Sequence, residues 1–298
     1  MCRVLEVSST GFYSWINKPK SKRTQDNEAL LKDIQKVHKE FNRVYGSIKI
    51  KKVIDAMPMN ERHCKLASIN HKRIERLMKE NGIQSKTKKK YKATTDSNHR
   101  LPVAENILNR EFKASAPNEK LVSDITYVYT EEGWLYVAGI MDLFGGKIVG
   151  LSMSERIKKE LVIDALEDAY RHGNKPQGTI LHSDKGSQYC SLAYQAKLKK
   201  YGYICSMSRK GNCWDNAPME SFWGKMKQEW LNDYRFKTRA EAKSKVFEYI
   251  MIFYNRKRIH ETYNYQTPED YYSGKLELLR KQHNEIIYNH AISGECTR

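Results

Sequence analysis

Leu121-Val122-Ser123-Asp124-Ile125-Thr126-Tyr127-Val128-Tyr129 is dense in β-branched and aromatic residues. A second such run, Trp134–Asp142, follows a Glu132-Gly133 turn, and a third, Lys147–Ser154, follows Gly145-Gly146. Side chains of this kind fit a pleated, half-buried surface, and glycine-bearing breaks between such runs read as hairpins. The expected unit is a three-stranded antiparallel meander.

Downstream the period changes. Leu161, Val162, Ala165, Leu166 and Ala169 recur at helical steps within 159–172. Thr179-Ile180-Leu181-His182 then reads as a short buried strand and 192–201 as a helix, followed by a strand at 203–207 and a helix at 219–231. Antiparallel strands followed by alternating strands and helices describe an α/β fold with a mixed sheet.

Upstream of the meander the pattern is helical. A short capped helix is expected around Val7–Trp15, an amphipathic one from Asn27 to Phe41 and another from Tyr45 to about Ala56. A further helix is capped by Ser68-Ile69-Asn70 and closed by Asn81-Gly82. Lys72, Arg73, Arg76 and Lys79 occupy its outer arc, and helices joined by a short turn with one basic face resemble a helix-turn-helix reader. The same pattern suits a plain helical bundle with a soluble basic face. The lysine-rich run that follows, with Lys88, Lys89 and Lys90, weighs toward phosphate contact. The expected organisation is a basic helical DNA-binding region over 1–92, a linker over 93–118, a catalytic core with a C-terminal helix over 119–275, and a tail over 276–298.

On this map Asp124 falls mid-strand, Asp184 at the carboxyl end of a strand and Glu220 in the first turn of a helix. Thirty-five residues separate the last two. Strand ends and helix starts gather at one edge of such a sheet, where α/β sites are built. Three carboxylates gathered there repel one another unless a cation lies between them. Hard oxygen ligands favour magnesium, with manganese as a substitute, and two ions suit phosphodiester cutting and joining. Lys227, two helical turns beyond Glu220 on the same face, is placed to meet a phosphate beside the scissile bond. Asp142 is expected to cap a turn, Asp215 to stabilise the start of the Glu220 helix, and His182 to pack or orient a ligand.

The charge balance agrees. Of 53 Lys+Arg and 35 Asp+Glu, residues 1–110 carry 25 and 11, a net charge of +14, against +4 for the rest of the chain. So lopsided a bias points to a nucleic acid partner. The six cysteines include no pair at two-residue spacing, which argues against a disulfide framework or a structural zinc site. The opening residues lack a signal-peptide core, and no apolar run approaches the roughly 20 residues needed to span a bilayer.

Three ordered motifs carry a family resemblance: Ser123-Asp124-Ile125-Thr126-Tyr127, His182-Ser183-Asp184-Lys185-Gly186-Ser187-Gln188-Tyr189, and the segment Gly211-Asn212-Cys213-Trp214-Asp215-Asn216-Ala217-Pro218-Met219-Glu220-Ser221-Phe222-Trp223-Gly224. They resemble the integrase-type catalytic core of bacterial insertion-sequence transposases, most of all the insertion-sequence-three family, in which a second reading frame encodes this part. The likeness extends to Lys227, to Tyr254–His260 with Thr267-Pro268, and upstream to Thr95–His99 and Pro102–Asn106. It implies a ribonuclease-H-like core with Asp124, Asp184 and Glu220 as metal ligands. It also implies a metal-activated water that nicks a transposon end, and a freed 3′ hydroxyl that performs strand transfer without a covalent protein–DNA intermediate. Leu121 stands where the family commonly has tryptophan and Ile259 where proline often precedes the histidine. His63, Cys64 and His71 lack the spacing of the zinc domain that precedes retroviral cores.

The leading expectation is therefore a magnesium-dependent DNA transposase acting as a homo-oligomer on transposon ends, in the bacterial cytoplasm on the nucleoid. The alternative is a DNA-binding regulator that needs an upstream-frame helix-turn-helix partner for catalysis. A ribonuclease-H-type nuclease is a weaker third.

Overall fold

The computed structural model describes residues 2, 4–86, 103–173, 177–209, 212–275 and 277–278. The chain divides into two units, Met1–Lys86 and Thr87–Arg298.

The first unit is helical. Its elements are α1 (Ser9–Ile16), α2 (Lys22–Glu40), α3 (Ser47–Ala56) and α4 (His71–Glu80). The last three pack on one another through Leu30, Ile34, Val37, Ile50, Ile54, Ile74, Leu77 and Met78, all buried. α2 begins five residues ahead of the expected Asn27. Ser21 Oγ accepts from Thr24 N (3.2 Å) and caps it, and the polar first turn carries no apolar period that would reveal it. The expected short turn between α3 and α4 is corrected: the connection runs from Met57 to Asn70. It is held from beneath by the fully buried Asp33, which accepts from His63 N (2.9 Å), His63 Nδ1 (2.7 Å) and Cys64 N (2.8 Å). His63 and Cys64 thus serve a structural anchor.

The second unit is built on a five-stranded sheet of order β3-β2-β1-β4-β5, from β1 (Lys120–Thr130), β2 (Gly133–Asp142), β3 (Lys147–Ser154), β4 (Ile180–Ser183) and β5 (Ile204–Met207). β1, β2 and β3 form the antiparallel meander, while β4 and β5 run parallel to β1. Helices α5 (Lys159–His172) and α6 (Leu192–Lys200) make the two crossovers, so the sheet is mixed and ribonuclease-H-like. α5 lies against β3 and β2, burying Leu161, Val162, Ala165, Leu166 and Ala169 with Leu121, Ala138, Ile140 and Leu181. Gly150 permits that approach, because a Cβ there would strike the Ala165 carbonyl and come within 2.8 Å of the Ala169 methyl.

Residues 103–119 have no regular structure but are not loose. Met207 N donates to Glu105 O (3.2 Å), and Ile107 and Leu108 N donate to Ser206 Oγ (2.9 and 3.0 Å), laying the segment along β5. Beyond α7 (Ala217–Glu229) come α8 (Arg239–Phe247), a π-helical stretch Glu248–Tyr254 and a helix at 268–275. The Asn255 amide clamps Ile148, accepting from its N (3.0 Å) and donating to its O (2.9 Å), which fastens this segment to edge strand β3. Among the described residues Cys2, Cys64, Cys190 and Cys205 are free thiols, and no helix is long and apolar enough to cross a membrane.

Candidate active site

Strand register brings the first two carboxylates level. Val122 of β1 pairs in parallel with His182 of β4, so Asp124 and Asp184 each lie two residues farther along neighbouring strands. Asp184 sits just past β4, where its Oδ1 accepts from Gly186 N (2.9 Å) and is steadied by its own turn. Glu220 occupies the first turn of α7, where the helix dipole favours an anion and Pro218 fits the helix start. Asn216 docks that helix end onto β1, its Nδ2 donating to Ser123 O (3.0 Å) beside Asp124.

The electrostatics match this convergence. Dense packing around half-buried Asp124 pushes its carboxyl well above the usual range, the Asp184 charge adds to the effect, and Glu220 adds further. Glu220, more exposed, is raised by the protein packed about it. Lys227 is half-buried and its ammonium is lowered by burial, with Asp124 opposing the shift. Its Nζ stands 4.8 Å from the centroid of the Tyr127 ring.

Trp223, one turn after Glu220, completes the floor. Gly139 pairs with Asp124 across β1 and β2, and a Cβ there would come within 2.8 Å of Trp223 Cη2, 3.0 Å of Cζ2 and 3.3 Å of Met219 Cε. The bare glycine leaves room for the indole to approach the sheet this closely. Its N–H is near enough to favour the ionised form of Asp124, and among the described residues the buried Nε1 has no hydrogen-bond partner.

Among the described residues no three His, Cys, Asp or Glu side chains are drawn together closely enough to hold an ion as they stand. The donor types nonetheless suit a hard divalent cation: Asp124, Asp184 and Glu220 offer carboxylate oxygens, and Asp124 lies under the like charge of the other two. In donor type, though not in their present spacing, these groups fit the metal that the sequence calls for.

The neighbouring polar residues have structural duties. Asp142 caps a turn as expected, Oδ1 accepting from Phe144 N (2.9 Å) and Oδ2 from Asn118 N (2.7 Å). Asp215 is corrected: it does not cap the Glu220 helix. It is fully buried and accepts from Arg209 N, Nε and Nη2 (2.9, 2.9 and 2.7 Å), Arg110 Nε (2.7 Å) and Asn106 Nδ2 (3.0 Å). His182 is fully buried, its Nδ1 at 2.8 Å from Ser206 Oγ and its Nε2 at 3.1 Å from Ser208 Oγ. Ser206 Oγ already accepts two backbone N–H groups, so its own proton goes to Nδ1, and Nε2–H donates to Ser208. Burial lowers the imidazole to about 4, which keeps it neutral. Arg258 and His260 belong to a latch at the end of α7. Arg258 donates through Nε and Nη2 to Glu229 (2.8 and 2.6 Å), and its Nη1 lies 3.1 Å from His260 Nε2.

In the helical unit, Lys72, Arg73 and Arg76 line one groove of about 590 Å³ with Lys22, Arg23 and Asp26 of α2. Lys22 and Arg23 escaped the sequence reading because they are remote from α4 along the chain. Arg73 Nε donates to Asn27 Oδ1 (2.8 Å), while its buried Nη2 has no hydrogen-bond partner among the described residues. Lys79 lies on α4, exposed and outside the groove lining. Lys88, Lys89 and Lys90 lie outside the described residues.

Comparison with known proteins gives one consistent answer. Residues 114–213 and 201–268 match family models described as integrase core domains, and residues 25–91 match an HTH-like domain. A 31 kDa protein of insertion element IS600 from Shigella sonnei is 46% identical over 260 residues, covering 87% of this chain and 93% of that one. The transposase for insertion sequence element IS904 from Lactococcus lactis subsp. lactis is 41% identical over 252 residues, covering 84% and 96%. Transposase InsF for insertion sequence IS3A from Escherichia coli is 35% identical over 278 residues, covering 93% and 94%.

Proposed function

The chain belongs to the insertion-sequence-three family of transposases, and from that membership we propose a division of labour among its residues. It is a DNA transposase: a DNA-binding polynucleotidyl transferase with an integrase core. Asp124, Asp184 and Glu220 would hold two divalent ions, magnesium by preference and manganese as a substitute. Bound there, such ions would supply Lewis acidity for phosphodiester cutting and joining. Asn216 and Trp223 fix the helix that carries Glu220 against the strand that carries Asp124. Lys227 meets a phosphate beside the scissile bond. In the helical unit Lys72, Arg73 and Arg76, joined by Lys22 and Arg23, grip phosphates, with Lys79, Lys88, Lys89 and Lys90 extending the basic surface. The chain works where the DNA is, on the bacterial nucleoid.

One observation carries the active-site reading: Asp124, level with Asp184 across β1 and β4, feels the charges of both Asp184 and Glu220. Nicking of labelled end DNA in magnesium tests it. Asp124→Asn, Asp184→Asn and Glu220→Gln are each expected to lose about a thousandfold or more in rate, the scale of several kcal/mol of lost charge stabilisation. DNA binding should stay nearly unchanged. A variant that keeps full strand transfer removes its residue from the site. Sedimentation of the chain on end DNA, with and without an upstream-frame product, tests the expected homo-oligomer and partner.

A further inference from the structure

The core carries a groove of about 920 Å³ that shares Lys227 with the candidate active site and whose other lining residues the catalytic reading does not use. Tyr127 and Tyr129 are two residues apart on β1 and so share a face, and Trp134 of β2 pairs in register with Tyr129. Trp134 meets Tyr127 edge-on at 5.0 Å and Tyr129 edge-on at 5.3 Å between ring centroids. All three rings remain exposed, Tyr129 by 64%. Tyr234 and Arg235 form further lining, and Lys227 contributes its ammonium over the Tyr127 ring. A cluster of large aromatics left in solvent marks a binding surface rather than a core.

We propose that this groove is a stacking platform for unpaired nucleotides of the DNA strand next to the scissile phosphate. The proposal rests on the reading of Glu220 and Lys227 given above. Three features select single-stranded DNA as the occupant. Aromatic faces with interleaved cations are the general recipe for binding bases without sequence preference. Lys227 and Arg235 give the groove two cations against the one acid in its lining, Glu131. The platform is also continuous with the candidate active site, because Lys227 belongs to the groove wall and to the helix that presents Glu220. The volume lies near the top of the roughly 300–1,000 Å³ of ordinary ligand sites, which suits a nucleotide better than a protein interface. The mutual edge-on contacts hold the rings in place before the bases arrive, which lowers the cost of ordering them.

The test uses the full chain in metal-free buffer, so that no cutting intervenes. Fluorescence anisotropy compares end DNA that is fully paired with the same end whose terminal nucleotides are unpaired by mismatch. The chain should prefer the unpaired end by about tenfold, and Tyr129→Ala with Trp134→Ala should erase that preference while leaving affinity for the paired end in place. An unchanged preference in the double variant would overturn the proposal. So would a preference that survives while the variant loses self-association in sedimentation, since the groove would then be a contact between protein chains. In the unmodified chain, 5-iododeoxyuridine at an unpaired position should photocross-link to Tyr127, Tyr129 or Trp134, and cross-links confined to other residues would also overturn it. Asp124→Asn should keep both the preference and the cross-link. Should Asp124→Asn still nick DNA, the catalytic assignment falls while the platform stands.

Discussion

Two acid centres in the same core are treated in opposite ways. Asp215 is wrapped by Arg209, Arg110 and Asn106, and the Arg209 hydrogen bonds, with Arg110 assisting, hold its carboxyl far below the usual range. Asp124 is surrounded by packing and by two further carboxylates, and its carboxyl is driven the other way. Both acids stand at motif positions, and residue type does not tell them apart. Compensation does. A buried charge matched by cations is a structural joint, here fastening residues 106–110 and Arg209 to the approach of α7. A charge cluster reinforced by like charges is kept at a cost in stability, and such groups gather at functional sites.

Exchanging the acids for their amides should reverse the two outcomes. Asp215→Asn keeps the shape but removes the charge and half of the acceptors, leaving Arg209 and Arg110 without their anion. A stability loss of about 3 kcal/mol is expected in urea denaturation, at the low end for a broken buried pair because both guanidiniums are half-exposed. A loss under about 0.5 kcal/mol would show that Asp215 is not a joint.

A smaller effect is expected from the floor of the site. Gly139→Ala places a methyl where Trp223 now lies, so the indole must shift away from Asp124. We expect about 2 kcal/mol of overpacking, with nicking reduced beyond what the lost folded fraction explains. Parallel denaturation and single-turnover nicking measure both. Full activity at reduced stability would confine Trp223 to packing.

The smallest effect belongs to the buried Asp142, which takes two backbone N–H bonds but whose burial still pushes it up to about 6. The native state therefore holds that proton more tightly than the unfolded chain, whose aspartates titrate near 4. The stability this contributes is present below about 4 and is lost as pH rises through about 6. Denaturation across that window should show the advantage of the unmodified chain over Asp142→Asn shrinking as pH rises. A gap that widens with pH would place Asp142 among the compensated acids.

Much of this was legible in the chain, for particular reasons. The meander could be read because β-branched and aromatic runs are cut by Gly133 and by Gly145-Gly146, and α5 because its five buried residues keep a helical period. The placing of Asp124 within a strand, Asp184 at a strand's carboxyl end and Glu220 in a helix's first turn could be read from motif and spacing. The role of Asp215 could not, since an acid before a helix looks like a cap and its partner Arg110 lies far back along the chain. Trp223 and Gly139 were hidden for the same reason: their contact joins a helix to a strand remote in sequence. The π-helical stretch Glu248–Tyr254 is apolar almost throughout, so no period marked it. The aromatic groove was concealed because Tyr127, Tyr129 and Trp134 are also good strand formers.

The most direct test of the central claim is a thermal melt of three proteins with and without magnesium: the unmodified chain, Asp124→Asn and Asp215→Asn. Without metal, Asp124→Asn should melt at or above the unmodified chain, because it removes like-charge strain, and Asp215→Asn should melt below it. Magnesium should raise the midpoint of the unmodified chain and of Asp215→Asn, since an ion that binds the native state stabilises it, and should leave Asp124→Asn unmoved. An equal magnesium shift in Asp124→Asn would contradict the assignment of Asp124 to a metal site.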